Sequence, residues 1–280
     1  MKTPRVSVVM PAYNSEKYIG EAIESILNQT FTDFELIVLN DSPDNKELES
    51  IVKKYANKDK RVKYVKNSKN IGIPKSRNKL LKLTKGEYIA CMDSDDISLP
   101  ERFEKQIEYM NAHPECGVLG TWFQLFGKDT TIVRHPKYIK ILNLLHNQHV
   151  GNPTVMMRKS VIDKYDLKYD EDYNYCEDYE LWSRMIFVTE IHNLPEILLK
   201  YRWHGTNVSI EHSKKQSDLT NTVKQNILNK LTTDKNEQQM VLRGHANVGI
   251  LLPKWLGRIC CMFIPKRKNR HNFRDKYVRN

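Results

Sequence analysis

The chain has 280 residues, and its composition, 40% hydrophobic and 28% charged, excludes a disordered protein. The length fits one large α/β domain with an extension, or two small domains. The net charge of +11 suggests an anionic partner, but nine basic residues and one acidic residue lie between positions 254 and 280, so the remainder is nearly neutral.

Four strand–helix units are predicted in the first 114 residues. The first two strands are almost continuously apolar, like strands that are buried on both faces of a sheet, and the segments between the strands carry apolar residues at helical spacing. The four runs are RVSVVMP, FELIVLND, RVKYVKN and EYIACMD. This alternation predicts an α/β fold with an open, mostly parallel central sheet flanked by helices.

After about residue 115 the alternation ends. We expect a strand at CGVLGTWFQLFG, a helix at EDYELWSRMIF and a strand at EILLKYRWHG, which form a second half-domain packed on the first sheet. Residues 211–243 are polar and helical in character, which predicts a connector to the basic C-terminal segment.

Three of the four predicted strands end in polar or aromatic side chains. Ligands of an open parallel sheet bind outside the carboxyl ends of its strands. An aromatic ring and a carboxylate could there contact a base, and carboxylates could hold a divalent metal. Taken singly, each residue could instead form a turn or cap a helix. The residues at the ends of the first, second and fourth strands are Pro11, Ala12, Tyr13, Asn14, Asn40, Asp41, Asp93, Ser94, Asp95 and Asp96.

The sequence contains no glycine-rich phosphate loop, neither GxGxxG after the first strand nor GxxxxGK[ST]. A nucleotide bound at this edge must therefore be held by a metal and by cationic side chains. Arg77, in the predicted helix GIPKSRNKLL, is the candidate cation, and an exposed helix arginine is the alternative.

Several motifs, in order along the chain, resemble the family 2 glycosyltransferases with the GT-A fold. The resemblance covers roughly residues 4–209 and rests on VSVVMPAYNSEKYIGEAIESILNQTF, ELIVLND, NIGIPKSRN, GEYIACMDSDD and CEDYELWSRM. It implies inverting transfer of a sugar from a nucleotide-diphosphate sugar, here a UDP-sugar. The catalytic domain would be residues 1–210, with a nucleotide-binding half at 1–114 and an acceptor-binding half at 115–210.

The resemblance implies roles for the residues at the strand ends. Ala12 and Tyr13 would pack on the base of the nucleotide, Asp41 would hydrogen-bond to the base, and Arg77 would help to hold the nucleotide. The full implied nucleotide-binding set is Pro11, Ala12, Tyr13, Asn14, Asp41, Arg77, Asp93, Ser94 and Asp95.

A divalent cation, Mn²⁺ or Mg²⁺, is implied by a DxD element formed by Asp93 and Asp95. Three carboxylates this close in sequence repel one another unless they are solvated or bridged by a cation. The expected ligands are Asp95, Asp96 and His204. The histidine is included because related enzymes bring a late-strand histidine to the metal or diphosphate, although a structural histidine is the alternative.

A second carboxylate pair, Glu177 and Asp178, opens the helix predicted at EDYELWSRMIF. Inverting transfer needs a base that takes the proton of the acceptor hydroxyl, and the resemblance assigns this role to Asp178. The helix N-terminus is expected to favour the ionised carboxylate. The alternative is an acidic first turn that only stabilises its own helix.

Four residues are expected on the acceptor or sugar side of the site. Asn152 and Thr154 lie in HVGNPTVMMRK, which resembles the acceptor-side loop of the family, Glu177 stands beside the base, and Arg202 precedes the late-strand histidine. The expected acceptor is a lipid-linked or lipopolysaccharide- or capsule-type glycan.

The sequence departs from the family pattern at two places. After the second strand the family has a motif close to DDGSTD, whereas this chain has NDSPD, which keeps Asp41 but lacks the glycine. Processive members carry QxxRW, and here Leu199 stands in place of the glutamine. We therefore expect addition of one sugar rather than polymerisation.

The C-terminal segment mixes apolar residues and Trp255 with lysines and arginines, which favours binding to an anionic membrane surface. Docking of its apolar side on the catalytic domain is the alternative. Aromatic residues are too sparse among the basic ones to predict a nucleic-acid partner.

We expect a cytoplasmic protein at the inner face of the cell membrane. The five cysteines match neither a disulfide framework nor a zinc site, the N-terminal apolar run is too short for a signal peptide, and no run reaches about 18 apolar residues. Two alternatives remain open: a polyprenyl-phosphate glycosyltransferase, and a non-catalytic protein that binds a nucleotide sugar or a nucleic acid.

Overall fold

The computed structural model of the protein describes residues 3–204, 211–235 and 238–239. They form one mixed sheet with helices on both faces. The strands are β1 (Val6–Ala12), β2 (Phe34–Asn40), β3 (Val62–Lys66), β4 (Tyr88–Cys91), β5 (Ile97–Ser98), β6 (Cys116–Gly127), β7 (Ile132–Val133), β8 (Tyr138–Ile139), β9 (Met156–Arg158) and β10 (Glu190–Trp203). The helices are α1 (Ile19–Leu27), α2 (Lys46–Lys58), α3 (Ile73–Leu83), α4 (Arg102–Ala112), α5 (Ile141–His146), α6 (Lys159–Lys164), α7 (Glu177–Met185) and α8 (Ser213–Leu231).

The first four strands are parallel, as the sequence predicts, and they lie in the order β3-β2-β1-β4. Successive residues of β1 face opposite sides of the sheet. Val8 and Met10 pack in the apolar core beneath α1, α2 and α4, whereas Val9 packs in the core beneath α3 and α7. Because helices cover both faces, apolar residues fill almost every position of β1 and β2.

The strands of the second half extend the first sheet and do not form a separate layer on it, which corrects the sequence-based expectation. Helix α7 of this half covers one face of the first sheet. Strand β9 lies between β4 and β6 and is antiparallel to both. The backbone N–H of Cys91 also donates to the carbonyl of Val155, 2.8 Å away. The periodicity of these short strands predicts that they are strands but carries no information on their partners.

The acidic turn of residues 93–96 crosses from the centre of the sheet to its edge. It follows β4 and enters β5, where Ser98 lies opposite Leu199 of β10. The carboxyl end of β10 is thereby placed beside the acidic turn, although more than one hundred residues separate the two in sequence.

The helix predicted as a polar connector is α8, and it is part of the core. Val223, Ile227 and Leu228 are buried in the same apolar cluster as α7. The basic segment at residues 254–280, which the sequence predicts to bind membranes, lies outside the described residues. Within the part of the chain that is described, none of the helices combines the length and the apolar character needed to cross a membrane.

Candidate active site

Hydrogen bonds from the end of β10 hold the acidic turn in place. The Asp96 carboxyl is 1% exposed and accepts a hydrogen bond from the backbone N–H of Arg202 at 2.8 Å. The Arg202 guanidinium in turn donates to the carbonyl oxygen of Asp95 at 2.7 Å. Burial, together with the neighbouring carboxylates, raises the pKa of Asp96 well above its usual value and also raises that of Asp95.

Asp95 and His204 form the pair of side chains best placed to bind a cation. Asp95 Oδ2 lies 3.3 Å from His204 Nε2, and the imidazole stacks on the ring of Tyr18. Among the described residues, no three His, Cys, Asp or Glu side chains converge on one point as a metal site built from protein alone requires. The expected third ligand, Asp96, points instead toward the backbone of β10.

Arg77 is buried between the two carboxylate clusters, so the alternative of an exposed helix arginine is wrong. It is 8% exposed, and its guanidinium lies 3.1 Å from Asp93 Oδ1 and 3.4 Å from Glu177 Oε1. With the Asn152 amide oxygen turned toward it, the terminal guanidinium nitrogens lie 2.6 and 3.0 Å from that oxygen. Burial alone would lower the pKa of Arg77, but Asp93 and its other neighbours outweigh burial and raise it.

The Glu177–Asp178 pair opens α7 as predicted, but Glu177 is buried and Asp178 is half-buried. Burial raises the pKa of Glu177 to about 7 and also raises that of Asp178. The backbone N–H of Tyr179 at the helix start lowers the pKa of Asp178, but removal of the carboxylate from water outweighs this contribution. Asp178 accepts hydrogen bonds from Gln148 Nε2 at 2.6 Å and from the backbone N–H of Tyr179 at 2.7 Å.

The predicted base-binding residues meet where β1 and β2 end. The Tyr13 ring is 55% exposed, whereas Ala12 is buried and its carbonyl accepts from the backbone N–H of Asp41. Pro11 belongs to β1, and Asn14 adopts a left-handed conformation with φ of 48°.

The Asp41 carboxylate organises the loop that precedes α3. It is 4% exposed and accepts from Asn67 Nδ2 at 2.7 Å and from the backbone N–H groups of Ile71 and Gly72, both at 3.0 Å. A carboxylate offers about four acceptor positions, so three bonds leave room for one further donor such as a base N–H.

Two of the residues expected on the acceptor side have other partners. Thr154 is fully buried, donates to the carbonyl of Gly151 and accepts from the backbone N–H of Thr121, so its expected contact with an acceptor is corrected to a role in holding its turn. Arg202, besides holding the acidic turn, lies over the rings of Tyr18 and Phe126.

Sequence reasoning missed Arg102 and Gln148, both of which reach the site. Arg102 is fully buried and donates to the carbonyl oxygens of Cys91 at 3.0 Å and Pro153 at 2.6 Å, which joins the end of β4 to the 3-10 helix Asn152–Thr154. Burial lowers its pKa to about 10. Neither residue carries a local signal, because an arginine in a first helical turn and a glutamine in a loop are usually exposed.

Comparison with known proteins shows which family the sequence matches. Residues 7–168 match the model of the family described as Glycosyl transferase family 2. An uncharacterized glycosyltransferase of Methanocaldococcus jannaschii is 39% identical over 226 residues, which cover 77% of this chain and 77% of that protein. The O-antigen biosynthesis glycosyltransferase WbnJ of Escherichia coli is 36% identical over 208 residues, which cover 71% of this chain and 80% of that protein.

The fold is also similar to that of a solved structure. The crystal structure of S. aureus TarS 1–349 in complex with UDP-GlcNAc matches with a TM-score of 0.68 and 21% identity, covering 98% of this chain and 88% of that chain. At this identity the likeness shows the fold alone. It confirms the predicted GT-A architecture, a mostly parallel sheet flanked by helices.

Proposed function

The chain belongs to glycosyl transferase family 2, and we propose that it moves one sugar from a UDP-sugar to a hydroxyl group of a lipid-linked or cell-surface glycan, with inversion. The observation that carries this proposal is the position of Arg77. Its guanidinium contacts Asp93 of the acidic turn and Glu177 of the second pair, so one buried cation joins the donor side to the acceptor side.

The donor side binds the nucleotide through the ends of β1 and β2. Tyr13 offers an exposed ring on which a base can stack, and Asp41 retains one acceptor position for a base N–H. The choice of uridine is supported by the matching crystal structure of TarS, which is a complex with UDP-GlcNAc.

A divalent cation, Mn²⁺ or Mg²⁺, would be held by Asp95 and His204. These two side chains fit a site in which protein and substrate together supply the ligands. Two protein ligands leave coordination positions for oxygens of the substrate and of water, as is usual for Mg²⁺. When bound, the ion neutralises charge on the diphosphate. Asp96 fixes the turn that presents Asp95, since its own carboxyl is buried against β10.

Asp178 serves as the general base. The acceptor oxygen forms a bond to the anomeric carbon while the bond from that carbon to the diphosphate oxygen breaks, and the diphosphate leaves with the electron pair. The proton of the acceptor hydroxyl passes to Asp178, whose pKa is raised by burial, which makes the carboxylate a stronger base than an exposed one. Glu177 pairs with Arg77 and so fixes the start of α7.

The acceptor proposed is a glycan of the O-antigen or capsule type, in support of which WbnJ is named for O-antigen biosynthesis. The basic segment at residues 254–280 would bring the enzyme to the anionic inner face of the cell membrane. Leu199 in place of the glutamine of QxxRW supports addition of one sugar per acceptor.

A thermal-shift screen of nucleotide sugars, with and without Mn²⁺, tests the proposal. We expect stabilisation by a UDP-sugar and by UDP, larger with the metal, because a ligand that binds only the folded state raises its stability. If no nucleotide diphosphate stabilises the protein under either condition, the proposal is wrong.

A further inference from the structure

Gln148 lies in the loop between α5 and the 3-10 helix Asn152–Thr154. Its side-chain nitrogen donates to Asp178 Oδ2 at 2.6 Å and to the carbonyl of Val150 at 3.0 Å, so both amide hydrogens have partners. Val150 is buried in the apolar core, which anchors the amide on its own loop. The other carboxylate oxygen of Asp178 accepts from the backbone N–H of Tyr179.

The same loop also reaches the other member of the carboxylate pair. Asn152 faces Arg77, which forms an ion pair with Glu177. Residues 148 and 152 therefore act on both carboxylates, one through a direct hydrogen bond and the other through a guanidinium.

We propose that Gln148 is a positioning residue for the reaction: its amide holds the Asp178 carboxylate in one orientation and in its ionised form. The inference rests on the proposed role of Asp178 as general base. A hydrogen bond donated to the charged form of an acid favours that form. Only two of about four acceptor positions on the carboxylate are used by Gln148 and Tyr179, so a position remains for the acceptor hydroxyl.

The charged and titratable groups around Asp178 act in both directions. Burial raises its pKa, and the hydrogen bond from Gln148 is the strongest of the contacts that lower it. Arg77 on α3 also lowers the pKa, and Asp93 in the acidic turn raises it. Tyr169, Cys176 and Glu177 also interact with Asp178.

The experiment is a ¹³C NMR titration of the aspartate carboxyl groups in the full chain. The Asp178 signal is identified by its loss in Asp178→Asn. We compare wild type with Gln148→Leu and with Gln148→Met, which keeps the length of the side chain. The matched control is Gln216→Leu, because Gln216 is half-buried and its amide donates at 2.9 Å to the carbonyl of Tyr175 rather than to a carboxylate.

In both Gln148 variants we expect the Asp178 midpoint to rise by on the order of one pH unit. The acidic limb of the plot of kcat against pH should move to higher pH by the same amount, and KM for the donor should not change. In Gln216→Leu the midpoint should stay at the wild-type value. If Gln148→Leu does not fold, Gln148→Met carries the comparison.

An Asp178 midpoint that is unmoved in the Gln148 variants, or that moves equally in Gln216→Leu, overturns the inference. The two proposals fail separately. Full transfer activity in Asp178→Asn would remove the base assignment, whereas the NMR titration reports on the contact between Gln148 and Asp178 whether or not Asp178 is the base.

Discussion

The guanidinium of Arg77 lies 3.1 Å from the carboxylate of Asp93, which ties α3 to the acidic turn through a largely buried ion pair. The same guanidinium lies 3.4 Å from Glu177 at the start of α7. Helix α3, the acidic turn and the start of α7, which are distant in sequence, thus meet at the guanidinium of Arg77.

Replacing Arg77 by methionine should leave the buried carboxylate of Glu177 and the half-buried carboxylate of Asp93 without this counter-charge. We expect the free energy of unfolding to fall by about 3–5 kcal/mol and nucleotide binding to be lost. Urea denaturation and thermal shift with UDP measure the two effects. Lys75→Met on the same helix is the control, because the pair of Lys75 with Glu171 is exposed and should contribute less than about 1 kcal/mol. Equal losses in both variants would contradict the prediction.

Tyr13→Ala should weaken nucleotide binding without weakening the fold. Stacking of a base on an aromatic ring contributes about 1–3 kcal/mol, and that amount of binding free energy should be lost. The free energy of unfolding should change by less than about 0.5 kcal/mol, because the ring is exposed. Isothermal titration with UDP measures the first effect. Tyr165→Ala, which also removes an exposed ring, should bind UDP as wild type does.

His204→Ala should reduce the affinity for Mn²⁺ measured in the presence of UDP. It removes one of the two side chains proposed to hold the ion, and we expect a loss of tenfold or more, or about 1.4 kcal/mol. Titration of Mn²⁺ followed by electron paramagnetic resonance gives the affinity. His146→Ala removes an exposed imidazole elsewhere and should have no effect. Unchanged Mn²⁺ affinity in His204→Ala would rule out this ligand.

Asp178→Asn should lower kcat by about 10²–10⁴-fold and leave KM for the donor unchanged, because only proton transfer is lost. Initial rates with a UDP-sugar and a hydroxyl acceptor measure both quantities. Full activity would indicate a phosphate acceptor, which needs little base catalysis, as in the polyprenyl-phosphate glycosyltransferases.

Stability should depend on pH through Glu177. Its pKa is raised to about 7 in the folded protein, above the usual value of 4.5, so the folded state binds more protons than the unfolded state between these values. The stabilisation is complete below pH 4.5 and is lost as the pH rises to about 7.

Urea denaturation of wild type and Glu177→Gln across this range measures that effect. Glu190, whose pKa is also raised to about 7, contributes in both proteins, so the difference between them reports on Glu177 and on its interaction with Asp178. A difference that is constant from pH 4 to 8 would show that Glu177 does not titrate as stated.

The sequence by itself determined the local elements and the family. The strands β1, β2 and β4 are apolar runs beside amphipathic helices, and that periodicity reflects burial on each face, which is a local property of the chain. Asp93, Asp95, Glu177 and Asp178 stand out for the same reason, since their positions at strand and helix ends can be read from their neighbours.

Only the tertiary structure decided which residues meet. The insertion of β9 beside β4, the burial of Thr154, and the contacts of Arg77, Arg102 and Gln148 depend on pairings between segments up to about one hundred residues apart. Burial also outweighed the expected effect of the helix N-terminus on Asp178 and raised its pKa. The physical reason is that desolvation and ion pairing depend on the full three-dimensional surroundings of a side chain, which its sequence neighbours do not specify.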